Sequence, residues 1–121
     1  MILVVDDNPV VRKLTSMQLE LLGFVAKAVA SGKEAVEEVQ RSTYSLVFMD
    51  CEMPDMDGFE AARRIRLFET QGKGHIPIIA LTASDIDDCE QKCVDAHIDD
   101  LLTKPATLQV LKDKIEAWLA I

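Results

Sequence analysis

Short unbroken apolar runs alternate with helix-length amphipathic stretches along this chain, and the alternation repeats five times. The runs fall at residues 2–5, 25–29, 46–49, 78–81 and, more weakly, 101–102. Runs that are apolar throughout fit strands covered on both faces, and the intervals between them are long enough for helical crossovers. Helix boundaries are legible too. Asn8 offers a capping side chain, Pro9 tolerates losing its N–H in a first turn, and Gly23 stops the helix, which predicts residues 9–22. Ser31 and Glu34 stand at capping-box spacing and open a second helix to about residue 40. Further helices are predicted at 58–69, 87–96 and 108–120. The last carries Leu108, Leu111, Ile115, Trp118 and Leu119 at helical spacing. The stretch 72–77, rich in turn formers, returns the chain to a strand. Such units in 121 residues suit an α/β doubly wound open sheet with helices on both faces, since a barrel needs about 250 residues.

No repeat, linker or low-complexity tract interrupts the pattern, so residues 1–121 are expected to form a single domain. With 13 Lys+Arg against 21 Asp+Glu the net charge is −8, which disfavours direct nucleic-acid binding and points to proteins or cations as partners. The longest apolar runs are about five residues against roughly 20 for a bilayer span, and the first runs directly into Asp6 and Asp7 with no basic flank. A cytoplasmic location is expected, with Cys51, Cys89 and Cys93 as reduced thiols.

In doubly wound sheets the chemistry gathers outside the carboxyl ends of the strands. Those ends offer Asp6 and Asp7 after the first run, Asp50 after the third, Thr82 after the fourth and Lys104 after the fifth. Carboxylates crowded together repel one another unless a cation and a lysine compensate. With oxygen donors and no His or Cys in the set, the cation is a hard one, Mg²⁺ first and Mn²⁺ second. The bland alternative, acids that merely cap helices or line solvated loops, would suit one Asp pair. It does not account for suitable groups at four strand ends.

These residues carry a resemblance. Residues 2–8 (Ile-Leu-Val-Val-Asp-Asp-Asn), 49–58 (Met-Asp-Cys-Glu-Met-Pro-Asp-Met-Asp-Gly), 81–83 (Leu-Thr-Ala) and 102–105 (Leu-Thr-Lys-Pro) are together similar to the receiver domain of two-component response regulators. The wording around Asp50, with Trp118-Leu119 near the end, is most like receivers of hybrid histidine kinases. The resemblance implies a flavodoxin-like fold with strand order 2-1-3-4-5 and a phosphoacceptor signalling domain rather than a turnover enzyme. Asp50 would take a phosphoryl group from a phosphohistidine, supplied by a histidine kinase or a histidine phosphotransfer domain. Asp7, Asp50 and the backbone carbonyl of Glu52 would ligate Mg²⁺, with Asp6 acting through water. Lys104, Thr82 and the backbone N–H of Ala83 would cradle the phosphoryl oxygens. The peptide before Pro105 would be cis. Glu52 and Ser84 would flank the path of attacking water, and the domain would be a monomer or a weak dimer.

Two departures stand out: Leu101 replaces the aromatic residue often found three positions before the lysine, which removes an aromatic switch, and His97 replaces a glycine after the fourth helix, where it is read as a left-handed cap. Cys89, Cys93 and His97 recur at spacings of four, but a metal site is disfavoured for want of a fourth ligand. Cys51, Met53 and Met56 are read as packing residues, and Gly58 as a special backbone angle or a close approach. The first helix has an apolar arc wider than one buried face needs. Val11 and Leu22 lie toward one margin, Leu14 inside, and Val10, Met17 and Leu21 toward the other. One margin should be exposed as a docking patch for a helical phosphodonor, unless all of these residues are core. Three competing functions are weighed. A haloacid-dehalogenase-type hydrolase wants Asp-x-Asp where this chain has Asp50-Cys51-Glu52. An FMN carrier would have its phosphate repelled by Asp6 and Asp7. A degenerate receiver that binds partners without phosphorylation would not need the intact acidic set.

Overall fold

The computed structural model describes residues 1–70, 72, 74–83 and 86–120, along which strands and helices alternate. The strands are β1 (Ile2–Val5), β2 (Ala26–Val29), β3 (Leu46–Asp50), β4 (Ile78–Thr82) and β5 (Asp100–Thr103). The helices are α1 (Pro9–Leu21), α2 (Gly32–Arg41), α3 (Gly58–Glu69), α4 (Ile86–Asp95) and α5 (Leu108–Leu119). All strands are parallel, in the order β2-β1-β3-β4-β5. Alternate residues of the central strands feed two cores. Leu3, Val5, Val47, Met49, Ile78 and Ala80 meet residues of α2, α3 and α4 such as Val39, Ile65 and Cys93. Ile2, Val4, Leu46, Phe48, Ile79 and Leu81 meet Leu19 of α1 with Leu111 and Ile115 of α5. Two-sided burial is why the central strands read as unbroken apolar runs.

Register brings the strand ends level. Val5 pairs with Met49, so Asp6 emerges beside Asp50; Asp50 pairs with Leu81, and Thr82 with Thr103, which precedes Lys104. The ends of α1 form as the sequence implies. Asn8 accepts hydrogen bonds from the N–H groups of Val10 and Val11, at 2.9 and 3.3 Å. Gly23 takes φ +93° while its N–H donates to Glu20 and that of Phe24 to Leu19, satisfying the last carbonyls. At α2 only half of the expected capping box forms. Ser31 Oγ accepts from Glu34 N–H at 3.1 Å, but the Glu34 carboxylate reaches the N–H of Ala30, at 3.4 Å, rather than that of Ser31.

The outer face of α1 differs from expectation at one residue. Val10, Met17 and Leu21 are exposed, as one margin had to be, and Leu14, expected inside the arc, joins them at 49% exposure. Positions 10, 14, 17 and 21 recur at helical spacing and form one stripe, while Thr15 and Leu19 take the buried centre. On α5, Leu111 and Ile115 are buried but Leu108 and Trp118 are not. Trp118 instead donates its Nε1–H to Asp100, at 2.9 Å. Among the described residues no helix is long and apolar enough to cross a membrane.

Candidate functional site

Asp6 and Asp7 follow β1 and Asp50 ends β3. One carboxylate oxygen from each lies within 4.8 Å of the others. Asp6 and Asp50 are 1% and 2% exposed, whereas Asp7 faces solvent. Lys104 reaches across from the end of β5, its Nζ 2.9 Å from Asp6 Oδ2 and 2.9 Å from Asp50 Oδ1. The Lys104–Pro105 peptide is cis. Backbone donors complete the frame: Asn8 N–H to Asp6 Oδ1 at 2.9 Å and Glu52 N–H to Asp50 Oδ1 at 3.2 Å. Three carboxylates therefore face one ammonium. Among the described residues, the buried Oδ2 of Asp6 has the lysine as an ion pair, outside hydrogen-bond geometry.

Burial is the largest influence on Asp50 and pushes its carboxyl up, to about 6, with the charge of Asp6 adding to the effect; the hydrogen bonds from Lys104 and Glu52 pull the other way. Lys104 also loses water to burial, but its close contacts with the Asp50 and Asp6 carboxylates outweigh that and hold its ammonium above the usual range. An acidic cluster in which a buried carboxyl resists ionising is short of positive charge. The surplus carboxylates, with Asp6 Oδ2 held only by its ion pair to Lys104, fit a hard divalent cation, and the donors are the oxygen type that Mg²⁺ takes.

The remaining residues singled out in the sequence fall around this centre. Thr82 ends β4, fully buried, with Oγ1 3.5 Å from Cys89 Sγ on α4. Ala83 follows it and is exposed, as is Glu52; Ser84 lies outside the described residues. Gly58 resolves to a close approach rather than a special angle. A Cβ there would collide with the Asp50 carbonyl and stand 3.0 Å from Cys51 Cα, and its N–H donates to the Cys51 carbonyl at 3.1 Å. Met53 is buried, and Met56 lies over Gly32, where a Cβ would stand 2.9 Å from the Met56 carbonyl. The loop after Asp50 is thus pressed against the N-termini of α2 and α3.

Cys51, Cys89 and Cys93 are free thiols in the apolar core. Burial and the neighbouring Cys89 push Cys93 up to about 11. His97 takes φ +59° after α4, the left-handed cap expected of it, and its carbonyl accepts from Arg66 Nε at 2.9 Å. Leu101 packs against the core on the α2–α4 side. Arg12 is the residue the sequence reading passed over: its guanidinium donates to the Asp6 carbonyl at 2.9 Å.

Residues 2–116 match the family described as response regulator receiver domain. The chain is 35% identical over 118 residues to the sensor histidine kinase RcsC of Salmonella typhimurium, covering 98% of this chain and 12% of that protein. It thus spans about one-eighth of that relative's length. Among solved structures it is similar to the receiver domain of a Pseudomonas aeruginosa sensor histidine kinase with magnesium coordinated in its active-site cleft (TM-score 0.88, 36% identity, 99% of this chain and 97% of that one). It is equally close to the receiver domain of the Saccharomyces cerevisiae response regulator Ssk1, solved with the histidine phosphotransfer protein Ypd1 (TM-score 0.88, 34% identity, 97% and 86%). With level strand ends, the acidic trio and the bridging lysine already in place, this chain belongs to the receiver-domain family of two-component systems.

Proposed function

We propose that Asp50 is a phosphoacceptor, taking a phosphoryl group from the phosphohistidine of a histidine kinase or histidine phosphotransfer domain. The carrying observation is the trio of carboxylate oxygens within 4.8 Å with Lys104 held 2.9 Å from two of the acids. Phosphoryl transfer asks little of acid–base groups and much of positioning and charge neutralisation. A carboxylate oxygen of Asp50 forms the new P–O bond as the P–N bond to imidazole breaks, and the imidazole leaves with the electron pair. Asp7, Asp50 and the Glu52 carbonyl would hold Mg²⁺, with Asp6 acting through water. Mg²⁺ held there would supply positive charge for the phosphoryl oxygens and offset the surplus of carboxylates. Lys104 passes from Asp50 to a phosphoryl oxygen, Thr82 turns its hydroxyl from Cys89 toward another, and the Ala83 N–H takes the third.

The exposed stripe of Val10, Leu14, Met17 and Leu21 on α1, beside this pocket, suits the apolar face of a helical donor. The seating of Ssk1 with Ypd1 supports such a partner class. The test is intact mass after incubation with acetyl phosphate, with and without Mg²⁺, for wild type and Asp50→Asn. One added phosphoryl group that needs both Mg²⁺ and Asp50 is expected. Failure of both adduct formation and beryllofluoride binding would leave a degenerate receiver that only binds partners.

A further inference from the structure

The turn that carries the two acids after β1 is held by a side chain that itself contributes no ligand. The Asp6 amide still belongs to the sheet, donating to the Val29 carbonyl at 3.2 Å. Its carbonyl lies past the last paired residue of β1, on a residue only 1% exposed, and a buried carbonyl needs a donor. Arg12 supplies it. The backbone N–H of Arg12 closes the first turn of α1 on the Asn8 carbonyl at 2.9 Å, and the half-buried guanidinium folds back to the Asp6 carbonyl, also at 2.9 Å.

We infer that Arg12 is a positioning residue for the cation site, fixing the peptide plane from which Asp7 projects. The peptide group between Asp6 and Asp7 is planar, so the direction of the Asp6 carbonyl sets the position of the Asp7 Cα. Asn8 N–H holds the Asp6 carboxylate from the other side, at 2.9 Å. The Asp6–Asn8 turn is thereby fixed at the amide, the carbonyl and the carboxylate of one residue. Groups that orient metal ligands without touching the metal commonly govern affinity by about 10–100-fold.

This inference rests on the cation reading above, and charge gives it a test of sign. A guanidinium near the site repels an incoming cation, so if Arg12 acted only through its charge, removing it would tighten Mg²⁺ binding. Positioning requires the opposite. Isothermal titration calorimetry with Mg²⁺ on wild type, Arg12→Met and Arg12→Lys, alongside urea unfolding of each in Mg²⁺-free buffer, separates the two.

Arg12→Met is expected to bind Mg²⁺ about 10-fold more weakly. Arg12→Lys should recover part of the loss, because an ammonium can reach a carbonyl but lacks the planar fork. Unchanged or tighter binding by Arg12→Met, or no recovery with Lys, overturns the inference. Should Arg12→Met fail to fold, Arg12→Lys must bind measurably more weakly than wild type, and equal binding overturns it. A wild type that binds no Mg²⁺ overturns the cation reading and this inference together.

Discussion

Two clusters of buried charge sit at opposite ends of the sheet, and they are built to different ends. Beyond the carboxyl ends of the strands, Asp6, Asp7 and Asp50 gather, Lys104 bridges Asp6 and Asp50, and among the described residues Asp6 Oδ2 has that ion pair but no partner in hydrogen-bond geometry. At the opposite end Arg66 donates to Glu69 and Asp99, each at 2.7 Å, and to the carbonyls of Ile76 and His97 at 2.8 and 2.9 Å. The same carboxylates accept the N–H groups of Ile76 and Ile78 at 2.6 and 2.7 Å, and His75 adds a contact to Asp99 at 2.8 Å. Every arm of that network ends on a partner, which ties α3 to the entries of β4 and β5. The saturated cluster is suited to stabilise, whereas the unsaturated one is short of positive charge and is suited to take a cation.

Removing the central arginine should break this contrast most severely. Arg66→Met takes the arginine from the buried Glu69 and the partly buried Asp99, leaving them backbone N–H donors and His75, and is expected to cost about 3 kcal/mol of stability in urea unfolding. Added Mg²⁺ should still stabilise the variant by the wild-type increment. A loss under about 1 kcal/mol would place the network with ordinary surface ion pairs.

The unsaturated end should respond to Mg²⁺ itself, with a smaller effect. At a Mg²⁺ concentration ten times Kd, wild type is expected to gain about 1.4 kcal/mol over metal-free buffer. Asp7→Asn, which removes an exposed carboxylate from the trio, should lose most of that gain while remaining folded. Equal stabilisation of both proteins in urea titrations would remove Asp7 from the cation site.

The sheet was legible because its central strands are apolar on both faces and because Asn8, Gly23 and Ser31 punctuate the helices as their chemistry requires. The acidic trio and its lysine were legible for a related reason: once strands are placed, level strand ends bring Asp6 and Asp7, Asp50 and Lys104 to one edge of the sheet. The Arg66 network was not. Its members come from α3, the approach to β4 and the turn before β5, and a long charged side chain does not declare its partner in sequence. The same holds for Arg12, whose partner is a backbone carbonyl. Leu14 went astray because an apolar arc has no marked centre. The buried centre fell on Thr15, a polar residue that a reading by hydrophobicity assigns outward. Thr82 was placed correctly at its strand end, but only the packing of α4 shows its hydroxyl beside Cys89.

The smallest effect expected of the saturated end is a dependence on acid. Asp100, beside Asp99, accepts hydrogen bonds from Lys114 at 2.8 Å, Trp118 at 2.9 Å and the Leu101 N–H at 2.8 Å. Burial pushes its carboxyl up, but the three donors together outweigh burial and hold it below the usual range. A carboxylate with a folded-state pKa below its unfolded value adds stability that is present above the unfolded pKa and lost as pH falls through the folded one. The loss should be about 1 kcal/mol or less, since the group and its partners are partly solvated. Trp118 is the single tryptophan of the chain, so its fluorescence reports this contact directly. An acid transition in Trp118 emission that precedes unfolding in wild type and is missing in Asp100→Asn is the expected result. A transition of the same midpoint in both proteins would mean that the indole senses some other carboxylate and that this contact contributes nothing to acid stability.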